Sequence, residues 1–200
     1  MRILVTPHNH WVGYHVVTRL LDKGCQIEGI RDPRIDTGLE DFFGRNSNFQ
    51  EIDQAASHYD LAIVIDDSET KNIKESAEKI FHIQTDTSLK IVPDNMNTSV
   101  ISVPYLIGEG MEINETGLVM DGRLIPYTDK DWENNAIYIT DFLNVLIQWI
   151  KMTHLPKLIE VTSVNNNLTN TKVEKKQVLL ENRNINEAIK TIKAFNKRFL

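Results

Sequence analysis

The stretch Asp60-Leu61-Ala62-Ile63-Val64-Ile65-Asp66 sets an unbroken apolar run between two carboxylates. A run without polar alternation leaves no face for water, so it reads as a strand covered on both sides, as in the interior of a parallel sheet. Shorter runs of the same kind precede it at Arg2 to Thr6, Gln26 to Ile30 and Phe49 to Ile52. Between the first two lies Trp11 to Lys23, where Val12, Val16 and Leu20, with Val17 and Leu21, recur at the four-residue spacing of one buried helix face. Gly24 follows, where a helix end calls for a left-handed residue. Glu69 to Phe81 has helical composition, so strands alternate with crossovers. The expected fold class is α/β: a Rossmann-like, doubly wound parallel sheet.

Further along, Leu89 to Val92 and Val100 to Pro104 read as two more strands joined by the turn-rich Pro93 to Asn97. A glycine-containing loop at Gly108 and Gly110, a hairpin through Asp121-Gly122 and a strand from Ala136 to Thr140 follow. Asp141 is expected to cap a helix reaching Met152, with Phe142, Val145, Leu146 and Trp149 on its apolar face. Ser163 to Thr171 reads as a loop. Residues 184–199 read as an amphipathic helix with Ile185, Ala188, Ile189, Ile192, Phe195 and Phe199 inward, and with Lys190, Lys193, Lys197 and Arg198 outward. Residues 1–104 are expected to form the Rossmann-like domain and 105–200 a small C-terminal lobe, parts of which return to the sheet.

Charge narrows the partners. The net charge of −6 divides into an acidic stretch, residues 1–150, with 12 Lys+Arg against 24 Asp+Glu, and a basic end, residues 151–200, with 10 against 4. An acidic body does not attract nucleic acid, and the basic end lacks stacking aromatics. The single cysteine, Cys25, cannot form an internal disulfide or a zinc ribbon, and no apolar run is long enough for export or a membrane span. A cytoplasmic location follows as the expectation.

The order of these pieces resembles the extended short-chain dehydrogenase/reductase family, in its branch of NAD(P)-dependent nucleotide-sugar epimerases and dehydratases. The resemblance covers nearly the whole chain. It is carried by Ile3 to Thr6 running into Trp11-Val12-Gly13-Tyr14-His15, by Leu20 to Gly24, by Asp60 to Ile65, by Val100 to Gly110, and by Ala136 to Phe142. It implies a sheet that holds a dinucleotide and a small lobe that closes over a sugar nucleotide.

Residue by residue, the positions that carry this chemistry depart from the family pattern. The phosphate loop, G-x-x-G-x-x-G in the family, is here Pro7-His8-Asn9-His10-Trp11-Val12-Gly13, so only the glycine that packs helix against strand survives. Pro7 removes a donor and His10 places a ring where the cofactor would lie. Asp66 and Asp67 replace the small residues the family keeps at the end of the fourth strand. Arg31 stands at the ribose-binding acidic position, where a basic residue suits a 2′-phosphate, and Glu51-Ile52 stands for the pair that brackets adenine. Thr6, His10, Gly13, Arg31, Glu51, Ile52 and Asp66 thus outline a vestigial cofactor crevice. The catalytic pair, a Tyr with a Lys four residues later, is absent: Tyr14, Tyr59, Tyr105, Tyr127 and Tyr138 are followed at that spacing by Thr18, Ile63, Glu109, Asp131 and Phe142. The short gap between the expected fifth and sixth strands also implies that the helix bearing the pair is deleted. On the substrate side, Val103 and Asn134 stand where the family carries arginines.

The expectation is a catalytically inactive epimerase/dehydratase-like protein, a binding or regulatory module placed by analogy in polysaccharide or cell-envelope metabolism. No catalytic residue and no cofactor are assigned; a protein partner or a nucleotide-sugar-like ligand is expected. One alternative is a divergent NAD(P)-dependent nucleotide-sugar epimerase or reductase with Asp94 or Tyr105 as general acid. The other is a metal-dependent hydrolase holding its ion by His8 or His10 with Asp66 or Asp67, against the plainer reading of these residues as a polar rim. Trp132, amid polar neighbours, reads as an exposed contact residue, and Trp149 as core.

Overall fold

The computed structural model describes residues 1–56, 58–66, 73, 75–86, 93, 96–120, 122–164, 175–179 (backbone only) and 184–200. They divide into two compact units, Met1–Ile83 with Ile91–Val100, and Gln84–Lys90 with Ile101–Leu200.

The first unit begins with strand β1 (Arg2–Thr6), helix α1 (Trp11–Leu21), β2 (Gln26–Gly29), a 3-10 helix (Leu39–Phe42) and β3 (Phe49–Glu51). It continues through β4 (Leu61–Ile65), β5 (Ile80–Gln84) and the start of β6 (Thr98–Ser102). Spatial order is β6-β5-β4-β1-β2-β3, with β1 pairing β2 and β4 in parallel. This order, reversing beside β1, is that of a doubly wound sheet. Side chains alternate across a strand, which sends Leu4 to one face and Ile3 and Val5 to the other. Leu4 joins Tyr59, Ala62, Val64, Ile73, Ala77 and Ile80 in one core cluster. The helix α1 buries Val12, Val16, Val17, Leu20 and Leu21, the stripe its spacing specifies. With both faces covered, β4 has no exposed residue, which accounts for its unbroken apolar run. After α1 the chain turns through Gly24 at φ +73°, a conformation that costs little without a Cβ.

In the second unit, β7 (Leu106–Ile107) pairs in parallel with β10 (Ile137–Tyr138). Strands β8 (Gly117–Met120) and β9 (Arg123–Pro126) form the expected hairpin, preceding α2 (Lys130–Asn135). The helix α3 (Ile139–Ile150) buries Phe142, Leu146 and Trp149. Strand β11 (Leu158–Ser163) lies between β6 and β12 (Lys175–Leu179), and α4 (Ile185–Phe199) ends the chain. Asn196 of α4 clamps the Gly110 loop, accepting from the Gly110 N–H at 3.1 Å and donating to the Met111 carbonyl at 2.8 Å. Among the described residues no helix is long and apolar enough to cross a membrane.

Several expectations are corrected. Ile80 and Phe81 belong to β5 rather than to a helix, and this fifth strand precedes the one expected at Leu89 to Val92, a segment outside the described residues, as are 67–72. Residues 85–97 therefore separate the fifth and sixth strands, so a short gap no longer argues for a deleted helix; that stretch nevertheless contains no tyrosine. The sixth strand runs from Thr98 to Ser102, two residues earlier than expected. Asp141 lies inside the first turn of α3, whose cap position is Tyr138, where no side chain caps the helix. Trp132 is 2% exposed, because α2 turns it inward together with Asn135, so it is no surface anchor. On α4, Ala188, Ile189 and Ile192 are buried as expected, but Phe199 is 45% exposed. Strands β11 and β12 were not expected; Ser163 ends the former, and residues 165–171 of the expected loop lie outside the described residues.

Candidate functional site

The loop between β1 and α1 stands at the carboxyl ends of the strands, where open α/β sheets bind their ligands. Its floor is Thr6, buried at the end of β1 opposite Val64. Its close fit to α1 depends on Gly13: a Cβ there would lie 2.1 Å from the Pro7 carbonyl oxygen and 3.0 Å from the backbone of His8. Only glycine lets the loop and the helix approach so closely.

Each residue of the loop is committed to a contact within the chain. His10 precedes α1 in extended conformation, and its Nδ1 accepts the Val12 N–H at 3.3 Å. That N–H is one of the free donors a helix N-terminus offers to an anion. Partial burial holds the His10 imidazole below its ordinary pKa, while the nearby carboxylates of Asp66 and Asp32 pull the other way. Asn9 is fully buried and acts as a strut: its Nδ2 donates to the carbonyls of Asp32 at 2.9 Å and Ile35 at 2.7 Å, and its Oδ1 accepts the Asp32 N–H at 2.9 Å. The loop is thereby tied to the segment that follows β2.

His8 is likewise 0% exposed. Its backbone N–H donates to Ile30 at 3.0 Å, and its ring meets Phe43 and Phe49 edge-on, with centroids 6.0 and 5.3 Å away. It occupies the space left by Gly29, where a Cβ would come within 2.7 Å of the imidazole. Nε2 stands 2.9 Å from a carboxylate oxygen of Glu51, yet neither ring nitrogen makes a hydrogen bond of good geometry. Burial holds this imidazole below its ordinary pKa; Glu51 and Glu40 oppose that effect and Arg31 adds to it.

The remaining candidates fall around these two histidines. Arg31 is held in an ion pair by Glu40, with Asp36 at 3.6 Å, and the hydrogen bond to Glu40 keeps its pKa raised. Glu51 is half exposed beside His8, and Ile52 packs against the Leu4 and Tyr59 cluster. Asp66 follows β4 at φ +48°, its N–H bonded to Ile83 and its carbonyl 2.7 Å from Nε2 of His82. Asp67 and Asp94 lie outside the described residues. Thus the structure joins His8 to Glu51 and brings His10 near Asp66. His8 is core rather than rim. Among the described residues no three His, Cys, Asp or Glu side chains stand together as a metal-holding group. Asn9 and Gly29 were absent from the sequence expectations, because their partners come from distant elements.

No protein-family model and no curated protein matches the sequence. Solved structures do match the fold. A yeast methylglyoxal/isovaleraldehyde reductase complexed with NADPH is similar with a TM-score of 0.59 at 11% identity, covering 100% of this chain and 99% of that one. The UDP-glucose 4-epimerase of Thermotoga maritima, solved with UDP-glucose, gives 0.54 at 11% identity over 82% of this chain and 77% of its own. A UDP-glucuronic acid 4-epimerase from Bacillus cereus, in complex with UDP-glucuronic acid and NAD, gives 0.52 at 13% over 96% and 93%. At such identities the likeness is one of architecture: the chain shares the Rossmann-like fold of these structures, the fold class that the order of its sequence elements implied.

Proposed function

We propose that this chain is a non-catalytic protein on the epimerase/reductase fold, a binding or regulatory module whose dinucleotide crevice is filled by its own side chains. The observation that carries the reading is the β1–α1 loop. A pyrophosphate needs glycine at the loop and free N–H donors at the helix start. Here His10 takes the Val12 donor, and Pro7 brings none. The carboxylate at the adenine-bracketing position, Glu51, faces His8, and the cation at the ribose position, Arg31, is paired with Glu40. These residues do not fit a dinucleotide. The sequence also lacks a Tyr with a Lys four residues on, so no proton donor of the family type accompanies the fold. The structural neighbours solved with UDP-sugars make a nucleotide-sugar-like ligand the first small molecule to try, with a protein partner as the other expectation.

Calorimetric titration with NAD, NADP and their reduced forms at neutral pH tests the reading, beside thermal melts in the same nucleotides. No heat of binding and an unchanged melting temperature are expected. A ligand at 100 times its Kd adds about 2.7 kcal/mol of stability, so binding in this range would be plain in a melt. Such stabilisation, with turnover of a UDP-sugar, would replace this reading by that of a divergent NAD(P)-dependent enzyme.

A further inference from the structure

We propose that the closed crevice carries a proton-operated latch, His8 set against Glu51, that releases the β1–α1 loop from the sheet edge as the pH falls. This rests on the reading of the crevice as filled by its own residues.

The geometry supplies the parts. The His8 ring is wholly enclosed between Phe43, Phe49 and Gly29, with a Glu51 carboxylate oxygen 2.9 Å from Nε2 and no hydrogen-bond partner at Nδ1 among the described residues. A neutral imidazole tolerates that setting, whereas an imidazolium needs two acceptors. The groups facing it are Glu51 from β3, Glu40 from the 3-10 helix and Arg31 from the segment after β2; β2 itself presents only Gly29, and α1 presents Gly13. The two carboxylates attract a proton to His8, Arg31 repels it and burial disfavours it. Burial prevails, so the imidazole is held below its ordinary range. Outside the cage the same ring titrates near ~6.5. Acid therefore favours the conformation in which His8 has left, and it leaves together with the loop it belongs to.

Linkage fixes the size of the response. Between the pKa of the released ring and that of the enclosed one, each unit of acidification raises the opening constant by up to about tenfold. Hydrogen exchange of the full chain, corrected for intrinsic rates, should show faster exchange in peptides covering 7–13 and 49–52 at pH 5.5 than at pH 7.5. His8→Phe and His8→Gln should each remove this response, judged on whichever variant keeps the wild-type circular dichroism at neutral pH. Glu51→Gln should enlarge it, because the enclosed ring loses its main source of proton affinity. An acid response missing from the wild type, one retained in a folded His8 variant, or one reduced by Glu51→Gln would each overturn the latch. Nucleotide binding at neutral pH would instead sink the closed-crevice reading and leave the exchange result untouched.

Discussion

Replacing Gly13 by alanine tests the fit between loop and helix most directly. The added Cβ would lie 2.1 Å from the Pro7 carbonyl oxygen, 1.3 Å short of the 3.4 Å at which ordinary contact begins. The obstructing atoms are backbone, held by the His8 bond to Ile30 and by the Asn9 strut, so no side chain can swing aside. Overpacking a fitted core costs ~1–3 kcal/mol, and a rigid obstacle places this case at the upper end. Alanine regains ~1 kcal/mol of helix propensity inside α1. The net loss is about 2 kcal/mol, which for a chain of this length lowers the melting temperature by roughly 4–8 °C. Thermal denaturation followed by circular dichroism reads it, with Gly24→Ala as a companion. At Gly24 nothing lies within 4 Å of an added Cβ, and only its φ of +73° opposes the substitution, at a cost of ~1 kcal/mol. A Gly13→Ala protein as stable as the wild type would show that the loop yields freely, and the argument from close approach would be lost.

His8 and His10 both bind their proton less readily in the folded chain than in the unfolded one, so the unfolded chain takes up more protons. Their contribution is complete above ~6.5 and declines as pH falls from there towards the lowered folded values; urea midpoints at pH 7.5 and 5.5 should differ in that direction, and less so in a His8→Phe, His10→Asn double variant. Asn9→Ala strips two carbonyls and one N–H of their partners; a loss of about 3 kcal/mol in urea unfolding, with faster proteolysis between residues 31 and 37, is the expected outcome. Trp132→Phe removes an indole N–H that has no partner among the described residues and leaves a small cavity at a buried position; a loss of about 1–2 kcal/mol of unfolding free energy in urea denaturation is expected, and one beyond about 3 kcal/mol would exceed what the lost packing explains.

The first half of the fold was legible because its signals are local. Strands β1 to β4 announce themselves as apolar runs, the stripe on α1 by its four-residue spacing, and Gly24 by position. The fifth strand was hidden by its neighbours: Glu75, Glu78 and Lys79 lend the segment a helical composition, although Ile80-Phe81-His82-Ile83 is a β-branched and aromatic run that supports a strand. Strand β11 carries a weaker signal, only Pro156 before it and an apolar Leu158-Ile159 start. Trp132 is buried against expectation because the polarity of its sequence neighbours says nothing about which face of a short helix turns inward. At the crevice, sequence could report what the loop lacks but not what fills it. Whether His8 points to water or into the core depends on a side chain missing from Gly29, on Phe43 and on Glu51, residues 21 to 43 positions away that only the folded sheet assembles.

Gly29 and His8 share one volume, and that couples the two positions. Shrinking His8 alone would leave a hollow lined by Phe43 and Phe49, whereas enlarging Gly29 alone would drive a Cβ into the imidazole and the Phe49 ring. Either step alone is harmful, and the two together should cost less than the sum of the single steps, because the smaller side chain at position 8 removes the contact with the imidazole. The arrangement acts as an interlock: a change at either position is felt at the other, so the two must be altered in concert to reshape this corner of the loop.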